Sequence, residues 1–409
     1  MLASCDMFDR LRQDLETLEK ERTQYFGMVE SRASSGDSVV VVYMGTEDGS
    51  EILDFRVLPT PGEFEIWLYQ RNGWFFAFAD TNRDLIFQPG ENYGWSNFGH
   101  PIYPQKFARQ NIVIEITNAG SGQPPPPSKL IGHSPDGAAQ LQSVRIGELA
   151  EIDEVRFSAA AANRGLWKPY AAVQDEVAGI FFTEPYDEHR VPILLVHGIA
   201  GHPAQFKPLI DAIDRNHYQV WFLNYPSGLR LGTLGSALFH VMEILHTRHR
   251  FEKVHLIAHS MGGLVSRHYL KECAKKQACD YLQTFTSIAS PFGGVKLASM
   301  GVEYAPAIIP SWLDLQPTSE FLSSLFTKPL PASVEHYLLF AYHMDLSIDD
   351  VLSIESSDGV IALSSQLRRE AQDEAARVIG FDQTHTGVLS DPQMLDTVLE
   401  IIESKDSFR

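Results

Sequence analysis

The stretch KVHLIAHSMGGLVSRHYLKECAKK, residues 253–276, decides the fold of this 409-residue chain. It begins with a short apolar run that is typical of a buried strand, and it continues with a longer run of helix formers. Between the two runs, Ser260 has small residues two positions before it and two positions after it. A sharp turn from strand to helix needs this spacing, because larger side chains would collide where the backbone folds tightly.

Such a turn exposes the serine hydroxyl at the carboxyl edge of a sheet, in front of a helix N-terminus that favours developing negative charge. The usual pattern is G-x-S-x-G, and Ala258 replaces its first glycine here. Serine patterns of this length also arise by chance. The order of strand, turn and helix favours the catalytic interpretation, and we predict that Ser260 is a nucleophile.

A glycine-bearing loop, His197-Gly198-Ile199-Ala200-Gly201, directly follows an earlier predicted strand. An oxyanion hole needs two backbone N–H groups that converge on one oxygen atom. The residue after the nucleophile supplies one of them, and the loop after an early strand supplies the other. We therefore predict that the N–H groups of Ile199 and Met261 form the oxyanion hole.

A base should follow the nucleophile along the chain, after the last strand of the sheet. His385 lies in the loop 382–387, directly after the last predicted strand, which favours it as the base. The remaining histidines after Ser260 lie in a helix or beside a strand: His268, His336 and His343.

The orienting acid should lie between nucleophile and base, after the preceding predicted strand, 335–342. We prefer Asp358, because the neighbouring Gly359 permits a tight loop that buries and aims the carboxylate. The alternatives that share this place in the order are Asp345, Asp349, Asp350 and Glu355.

Residues 150–409 alternate short apolar strands with longer helices, which predicts a mostly parallel sheet. The segments 196–201 and 258–263 resemble the oxyanion loop and nucleophile turn of small bacterial triacylglycerol lipases. The wider stretch 165–400 resembles lipase-like hydrolases related to the deacylases of GPI-anchor processing. The shared pieces are Tyr225-Pro226-Ser227-Gly228, Ser290-Pro291-Phe292-Gly293-Gly294, Asp314 to Leu322 and Ser357-Asp358-Gly359-Val360.

This resemblance implies an α/β-hydrolase fold and ester hydrolysis by the residues assigned above. Within the catalytic domain, residues 295–330 form an insertion with a strongly apolar face. In lipases such a segment caps the site and meets lipid. The alternative interpretation is a helical excursion that packs on the core.

Residues 38–117 differ in character, because β-branched and alternating apolar runs are separated by glycine-bearing turns. They predict a small antiparallel β-sandwich, and the stretch 74–91 resembles prealbumin-like or carboxypeptidase-regulatory-like sandwiches. Four consecutive prolines, 124–127, indicate that residues 118–149 are a semi-rigid linker between the domains.

Residues 1–37 are predicted to be mainly an N-terminal helix over 7–30, whose leucine stripe docks on a domain surface or forms a tether. Leu2-Ala3-Ser4-Cys5 has the form of a bacterial lipobox, in which the cysteine becomes lipidated. If upstream sequence encodes an export signal, we expect a lipid-anchored protein in the cell envelope. Otherwise we expect it in the cytoplasm.

Composition bounds the remaining possibilities. A formal net charge of −19 disfavours binding to a nucleic-acid backbone. A bridge between Cys273 and Cys279 is doubtful if both lie on one helix, where residues six positions apart point to different faces. We expect no metal or cofactor, since the proposed chemistry needs none.

The sequence thus predicts a serine hydrolase that acts on a small-molecule or lipid-like ester. An acyltransferase or amidase with the same triad, and a non-catalytic scaffold, are the alternatives. Contact with a membrane surface would come through Cys5 or through the apolar insertion.

Overall fold

The computed structural model describes residues 2–32, 37–69, 72–103, 110–135, 144–175, 177–343 and 356–406. The chain divides into two compact units. The larger unit comprises residues 1–14, 144–241 and 251–409, and the smaller one comprises residues 15–143 and 242–250.

The helices are α1 (Leu2–Glu21), α2 (Ala159–Trp167), α3 (Pro169–Gln174), α4 (Lys207–Ala212), α5 (Leu231–His249), α6 (Met261–Lys276), α7 (Lys296–Tyr304), α8 (Pro310–Leu315), α9 (Glu320–Leu325), α10 (Leu363–Gln366), α11 (Arg369–Glu374) and α12 (Pro392–Glu403). The strands are β1 (Arg22–Ser31), β2 (Ser38–Met44), β3 (Ile52–Leu58), β4 (Glu63–Tyr69), β5 (Trp74–Asp80), β6 (Tyr93–Trp95), β7 (Gln110–Ile116), β8 (Val144–Leu149), β9 (Ala178–Phe182), β10 (Val191–Val196), β11 (Tyr218–Asn224), β12 (Val254–His259), β13 (Leu282–Ile288), β14 (Glu335–Ala341) and β15 (Ala375–Phe381).

The larger unit is built on an eight-stranded sheet of order β15-β14-β13-β12-β10-β11-β9-β8. Six neighbouring strands, from β15 to β11, run parallel, and β9 pairs antiparallel with β11. Most of these strands consist of apolar residues that are buried on both faces of the sheet, as a parallel sheet covered by helices requires. The predicted α/β-hydrolase fold is confirmed.

Two strands of this sheet, β8 and β9, were not predicted. Strand β8 occupies residues assigned to the linker, and it pairs in parallel with β9. Its residues are only partly buried, so it lacks the apolar run by which sequence reveals central strands. The prediction of a linker as far as residue 149 is therefore wrong at its end.

The prediction concerning Cys273 and Cys279 is also wrong, because the two residues form a disulfide. Helix α6 ends at Lys276, and Gln277 adopts a left-handed conformation with φ 51°. The chain therefore reverses, and the two Cα atoms lie 5.6 Å apart instead of on opposite faces of one helix.

The first turns of α1 dock within the larger unit. Leu11 is fully buried, and the ring of Phe8 contacts Trp167 edge to face at 5.2 Å. The carboxylate of Asp14 accepts hydrogen bonds from the N–H groups of Tyr170 and Ala171, at 2.8 and 2.9 Å. These donors belong to the first turn of α3, so Asp14 caps a helix distant in sequence. Of the two predicted roles for this helix, docking is the one that the contacts support.

The smaller unit holds two sheets, of order β4-β1-β7 and β3-β2-β5-β6. Apolar residues from both sheets share one buried core, which confirms the predicted sandwich. Its pairing is antiparallel except between β1 and β7, which run parallel.

Strand β1 replaces residues 22–30 of the predicted helix over 7–30. Tyr25 and Val29 alternate into the core of the sandwich, and the ring of Phe64 packs over Gly27, where a side chain would collide. Tertiary pairing here overrides local helix propensity.

The proline run also differs from a free spacer. Tyr93 Oη donates to the carbonyl of Pro124 at 3.1 Å, and Trp95 Nε1 donates to that of Pro125 at 3.2 Å. Pro127 is buried, and Leu130 after it is fully buried. Proline lacks an N–H group but keeps its carbonyl, so an extended proline segment can pack on aromatic rings that donate to it.

Candidate active site

Ser260 lies on the turn between β12 and α6, with φ 55° and ψ −129°. Non-glycine residues rarely adopt such positive φ, and strain of this kind concentrates at functional sites. A Cβ atom on Gly262 would lie 2.5 Å from the carbonyl oxygens of Val196 and His197. This close approach explains why the turn needs glycine two positions after the serine.

His385 lies in the loop between β15 and α12. Its Nε2 atom is 2.9 Å from Ser260 Oγ, and its Nδ1 atom is 2.7 Å from Asp358 Oδ2. Because a carboxylate oxygen accepts, Nδ1 carries the proton, and Nε2 is left to accept from the serine hydroxyl. All three side chains are largely buried.

The Asp358 carboxylate is held by its own turn. Val360 and Ile361 donate their N–H groups to Oδ1 at 3.0 and 2.7 Å, and Gly359 provides the required positive φ of 90°. The N–H group of His385 donates to the Asp358 carbonyl at 2.9 Å, which joins the two loops through the backbone. The turn therefore positions the acid and the imidazole together.

The loop that carries Ile199 lies beside the nucleophile. A Cβ atom on Gly198 would lie 2.7 Å from Ser260 Cβ, so only glycine allows this approach. The N–H group of Ala200 donates to Ser227 Oγ at 2.9 Å, which fixes the turn. Met261 is the first residue of α6. The placement suits the predicted oxyanion donors, whose role stays a prediction.

The other histidines lie in different environments. His268 stacks on Phe321, and His336 is fully buried in β14, where its Nε2 atom contacts Ser287 Oγ at 2.8 Å. His343 is paired with Asp382. The alternative acids Asp345, Asp349, Asp350 and Glu355 lie outside the described residues.

Three further residues make hydrogen bonds to this site, and their part in it was not identified from the sequence. His259 Nε2 donates to the carbonyl of His385 at 2.8 Å, and His197 Nδ1 donates to the carbonyl of Gly198 at 2.8 Å. Burial lowers the pKa of His259 to about 3 and that of His197 to about 4, so both rings are neutral at pH 7.

The third residue is Gln366, which donates to Asp358. The two histidines directly adjoin motif residues, and that position was the available signal. Gln366 had no such signal. Within the described part of the chain, no three His, Cys, Asp or Glu residues are arranged to hold a metal ion. None of the described helices is long and apolar enough to span a membrane.

Residues 234–403 match a family model described as an alpha/beta hydrolase of unknown function. No curated protein matches the chain. Among solved structures, the lin2722 gene product of Listeria innocua is 17% identical, with 54% of this chain and 96% of that chain covered and a TM-score of 0.39. The mature lipase BlEst2 of Bacillus licheniformis is 15% identical, with 55% of this chain and 97% of that chain covered and a TM-score of 0.43. Phospholipase PlaB of Legionella pneumophila is 16% identical, with 43% of this chain and 45% of that chain covered and a TM-score of 0.35.

Proposed function

We propose that this α/β-hydrolase is a serine hydrolase that cleaves carboxylic esters through an acyl-enzyme. The observation that carries the proposal is the continuous chain from Ser260 Oγ through the His385 ring to the Asp358 carboxylate. It begins at a strained turn in front of a helix N-terminus and beside a glycine loop. This combination activates a hydroxyl and stabilises the charge that its attack creates.

In the proposed reaction, Ser260 Oγ attacks the ester carbonyl while His385 Nε2 takes the hydroxyl proton. The N–H groups of Ile199 and Met261 stabilise the resulting oxyanion, and Asp358 stabilises the imidazolium. The C–O bond to the alcohol then breaks, and His385 returns the proton to the leaving oxygen. Water, deprotonated by the same imidazole, then attacks the acyl carbon. The bond from that carbon to Ser260 Oγ breaks, and His385 returns the proton to Oγ as the acid leaves.

The lipid-like character of the ester is part of this proposal. Helix α7 exposes Leu297, Met300 and Tyr304, with 71%, 57% and 72% of each residue accessible. Their spacing of three and four residues places them on one helix face. The segment that leads to α7 follows β13, so it starts from the same sheet edge as Ser260. An exposed apolar face there suits contact with a lipid surface.

A fluorophosphonate probe tests the central claim, because it phosphonylates an activated serine. We expect the wild type to be labelled and Ser260→Ala to remain unlabelled, with unchanged thermal unfolding. Absence of labelling in folded wild type would favour the non-catalytic scaffold.

Hydrolysis of p-nitrophenyl esters of short and long chain then measures acyl preference. Adding alcohol or amine acceptors separates a hydrolase from an acyltransferase, and matched anilides test for an amidase.

The location of the protein is a separate proposal. A lipid chain on Cys5 would bring the site to a membrane without a spanning helix, since each buried methylene contributes about 0.8 kcal/mol. We expect the protein, expressed with its upstream genomic sequence, to partition into membranes and Cys5→Ala to stay unlipidated. Equal partitioning of both proteins would contradict the anchor and leave the cytoplasm as the expected location.

A further inference from the structure

Gln366, the last residue of α10, is 1% exposed and reaches the turn that holds Asp358. Its Nε2 atom lies 3.1 Å from Asp358 Oδ2, 3.0 Å from the carbonyl oxygen of Ala341 and 3.2 Å from that of Ile361. Its Oε1 atom accepts from the N–H group of Ala341 at 3.0 Å. One side chain therefore joins the end of β14 to the turn of the proposed acid.

The orientation of this amide follows from its partners. The Ala341 N–H group can only donate, so the atom facing it must be the amide oxygen. The atom on the other side faces three acceptors, so it must be the NH₂ group. Gln366 is thus a hydrogen-bond donor to Asp358, and reversing the amide would break every one of these contacts.

The oxygen that Gln366 contacts is the one that accepts from His385. Asp358 Oδ2 receives His385 Nδ1–H at 2.7 Å and the Gln366 amide at 3.1 Å, whereas Oδ1 receives two backbone N–H groups. The amide therefore restricts rotation of the carboxylate. It also withdraws part of the charge that the carboxylate would otherwise direct at the imidazole.

We propose that Gln366 is a positioning residue of the proposed triad, which orients Asp358 and limits its attraction for the protonated imidazole of His385. This inference rests on the proposed function. The Gln366 amide donates to Asp358 Oδ2, which is the same oxygen that accepts from His385. Without that donor the carboxylate stabilises the imidazolium more strongly, and the base remains protonated to higher pH.

Among the described residues, few other titratable groups face this cluster. His259, from β12, contacts the His385 carbonyl, and its ring centroid lies 4.8 Å from that of His385. Burial holds the pKa of His259 at about 3, so it does not change charge near neutral pH. The Nε2 atom of His385 contacts the Ser260 hydroxyl. Among the described groups, the pair of Asp358 and His385 is therefore the one on which a change in the pH profile near neutrality reports.

Gln366→Met keeps the volume of the side chain and removes its amide. A matched control is Gln219→Met, because Gln219 is also buried and its amide binds backbone groups of Asp187 and Arg190 in the same unit. Among the described residues, the Gln219 amide contacts these backbone groups and no member of the triad. Both substitutions should lower the unfolding temperature, which must be measured first so that all assays use folded protein.

In the pH dependence of kcat/KM for a soluble ester, we expect Gln366→Met to shift the acidic limb upward by about half a unit or more. Its rate of fluorophosphonate labelling at neutral pH should fall about ten- to a hundredfold. Gln219→Met should keep the wild-type limb. A folded Gln366→Met with the wild-type profile would overturn the inference.

Gln366→Glu provides a second variant of nearly identical shape. Its acid can donate to Asp358 only while protonated, so its activity relative to wild type should fall as pH rises. A ratio that is constant with pH would contradict the proposed donor role. Wild-type protein that does not react with the probe would instead defeat the proposed function, so the two failures are distinguishable.

Discussion

Two chains of hydroxyl, imidazole and carboxylate lie at opposite ends of β12. At the carboxyl end, the chain begins at Ser260. At the amino end, His255 Nδ1 is 2.8 Å from Thr284 Oγ1, and its Nε2 atom is 2.7 Å from Asp406 Oδ2. The groups and distances are nearly those of the candidate site, so three aligned side chains are not sufficient to make a catalytic centre.

The surroundings of the hydroxyl make the difference. Thr284 lies within β13, directly opposite His255 of β12, and both residues are fully buried. Ser260 follows the last residue of its strand, adopts a positive φ, and lies beside a glycine loop and a helix N-terminus. A substrate carbonyl needs that approach and those N–H donors, which a hydroxyl between two paired strands lacks.

The carboxylates differ as well. Asp406 also accepts from Lys253 Nζ at 2.7 Å, and it follows α12 closely. It therefore fixes the end of the chain to the sheet. Asp358 receives neutral donors and the imidazole, so among the described residues no lysine or arginine shares its carboxylate with His385.

The largest expected effect separates the two hydroxyls. Ser260→Ala should lower kcat for p-nitrophenyl esters by about 10⁴-fold or more, since only binding and the oxyanion donors remain. Thr284→Val should change kcat less than about threefold, because its hydroxyl touches no substrate. Esterase assays on both folded variants check this, and a comparable loss in Thr284→Val would mean that the amino-end chain takes part.

The imidazoles extend the same comparison. His385→Ala should be as inactive as Ser260→Ala, and the double variant should be no worse, because the two groups act as a unit. Residual hydrolysis of p-nitrophenyl esters by all three folded proteins measures this. Additive losses would indicate that His385 acts elsewhere.

A somewhat smaller effect is expected from the carboxylates. Asp358→Asn should lower kcat by about 10³- to 10⁴-fold, because the amide cannot hold the required imidazole tautomer. Asp406→Asn should leave kcat nearly unchanged. Wild-type activity in Asp358→Asn would direct attention to the acids between 345 and 355.

Asp406 should instead appear in the dependence of stability on pH. Burial disfavours its charge, but the hydrogen bonds from His255 and Lys253 outweigh burial and lower its pKa. A lowered pKa contributes stability above the unfolded value near 4, and this contribution is lost as the pH falls through the folded value. Urea unfolding from pH 7 to pH 3 should show a steeper loss for wild type than for Asp406→Asn. Parallel curves would contradict the assignment.

The smallest effect concerns the two ends of α6. Replacing Cys273 and Cys279 by serine should lower the unfolding temperature by a few degrees, because the closed loop is short. The rate of labelling at Ser260, at the other end of the helix, should remain at the wild-type level. A large loss of labelling would show that the disulfide positions the nucleophile.

Much of the fold could be predicted because its signals are local. The central strands are continuous apolar runs. Helix α6 covers the run of helix formers that follows Ser260 and ends at Lys276, because a turn from strand to helix depends on neighbours in sequence. The candidate site followed from the order of Ser260, Asp358 and His385 along the chain. The structure brings these three together, while their roles stay predictions.

What required the tertiary structure is contact between distant residues. Helix propensity predicts a helix over residues 22–30. In the structure these residues form a strand, because they pair with β4 and β7. The proline run predicts a spacer from sequence alone. In the structure, aromatic side chains donate hydrogen bonds to its carbonyl groups.

Sequence alone determined the nucleophile turn, because its constraint lies in residues within two positions of Ser260. Only the tertiary structure decided that Gln366 contacts Asp358, and that the hydroxyl, imidazole and carboxylate around His255 lie buried. The free energy of a buried hydrogen bond depends on where its partner lies in space, and no local pattern encodes that position.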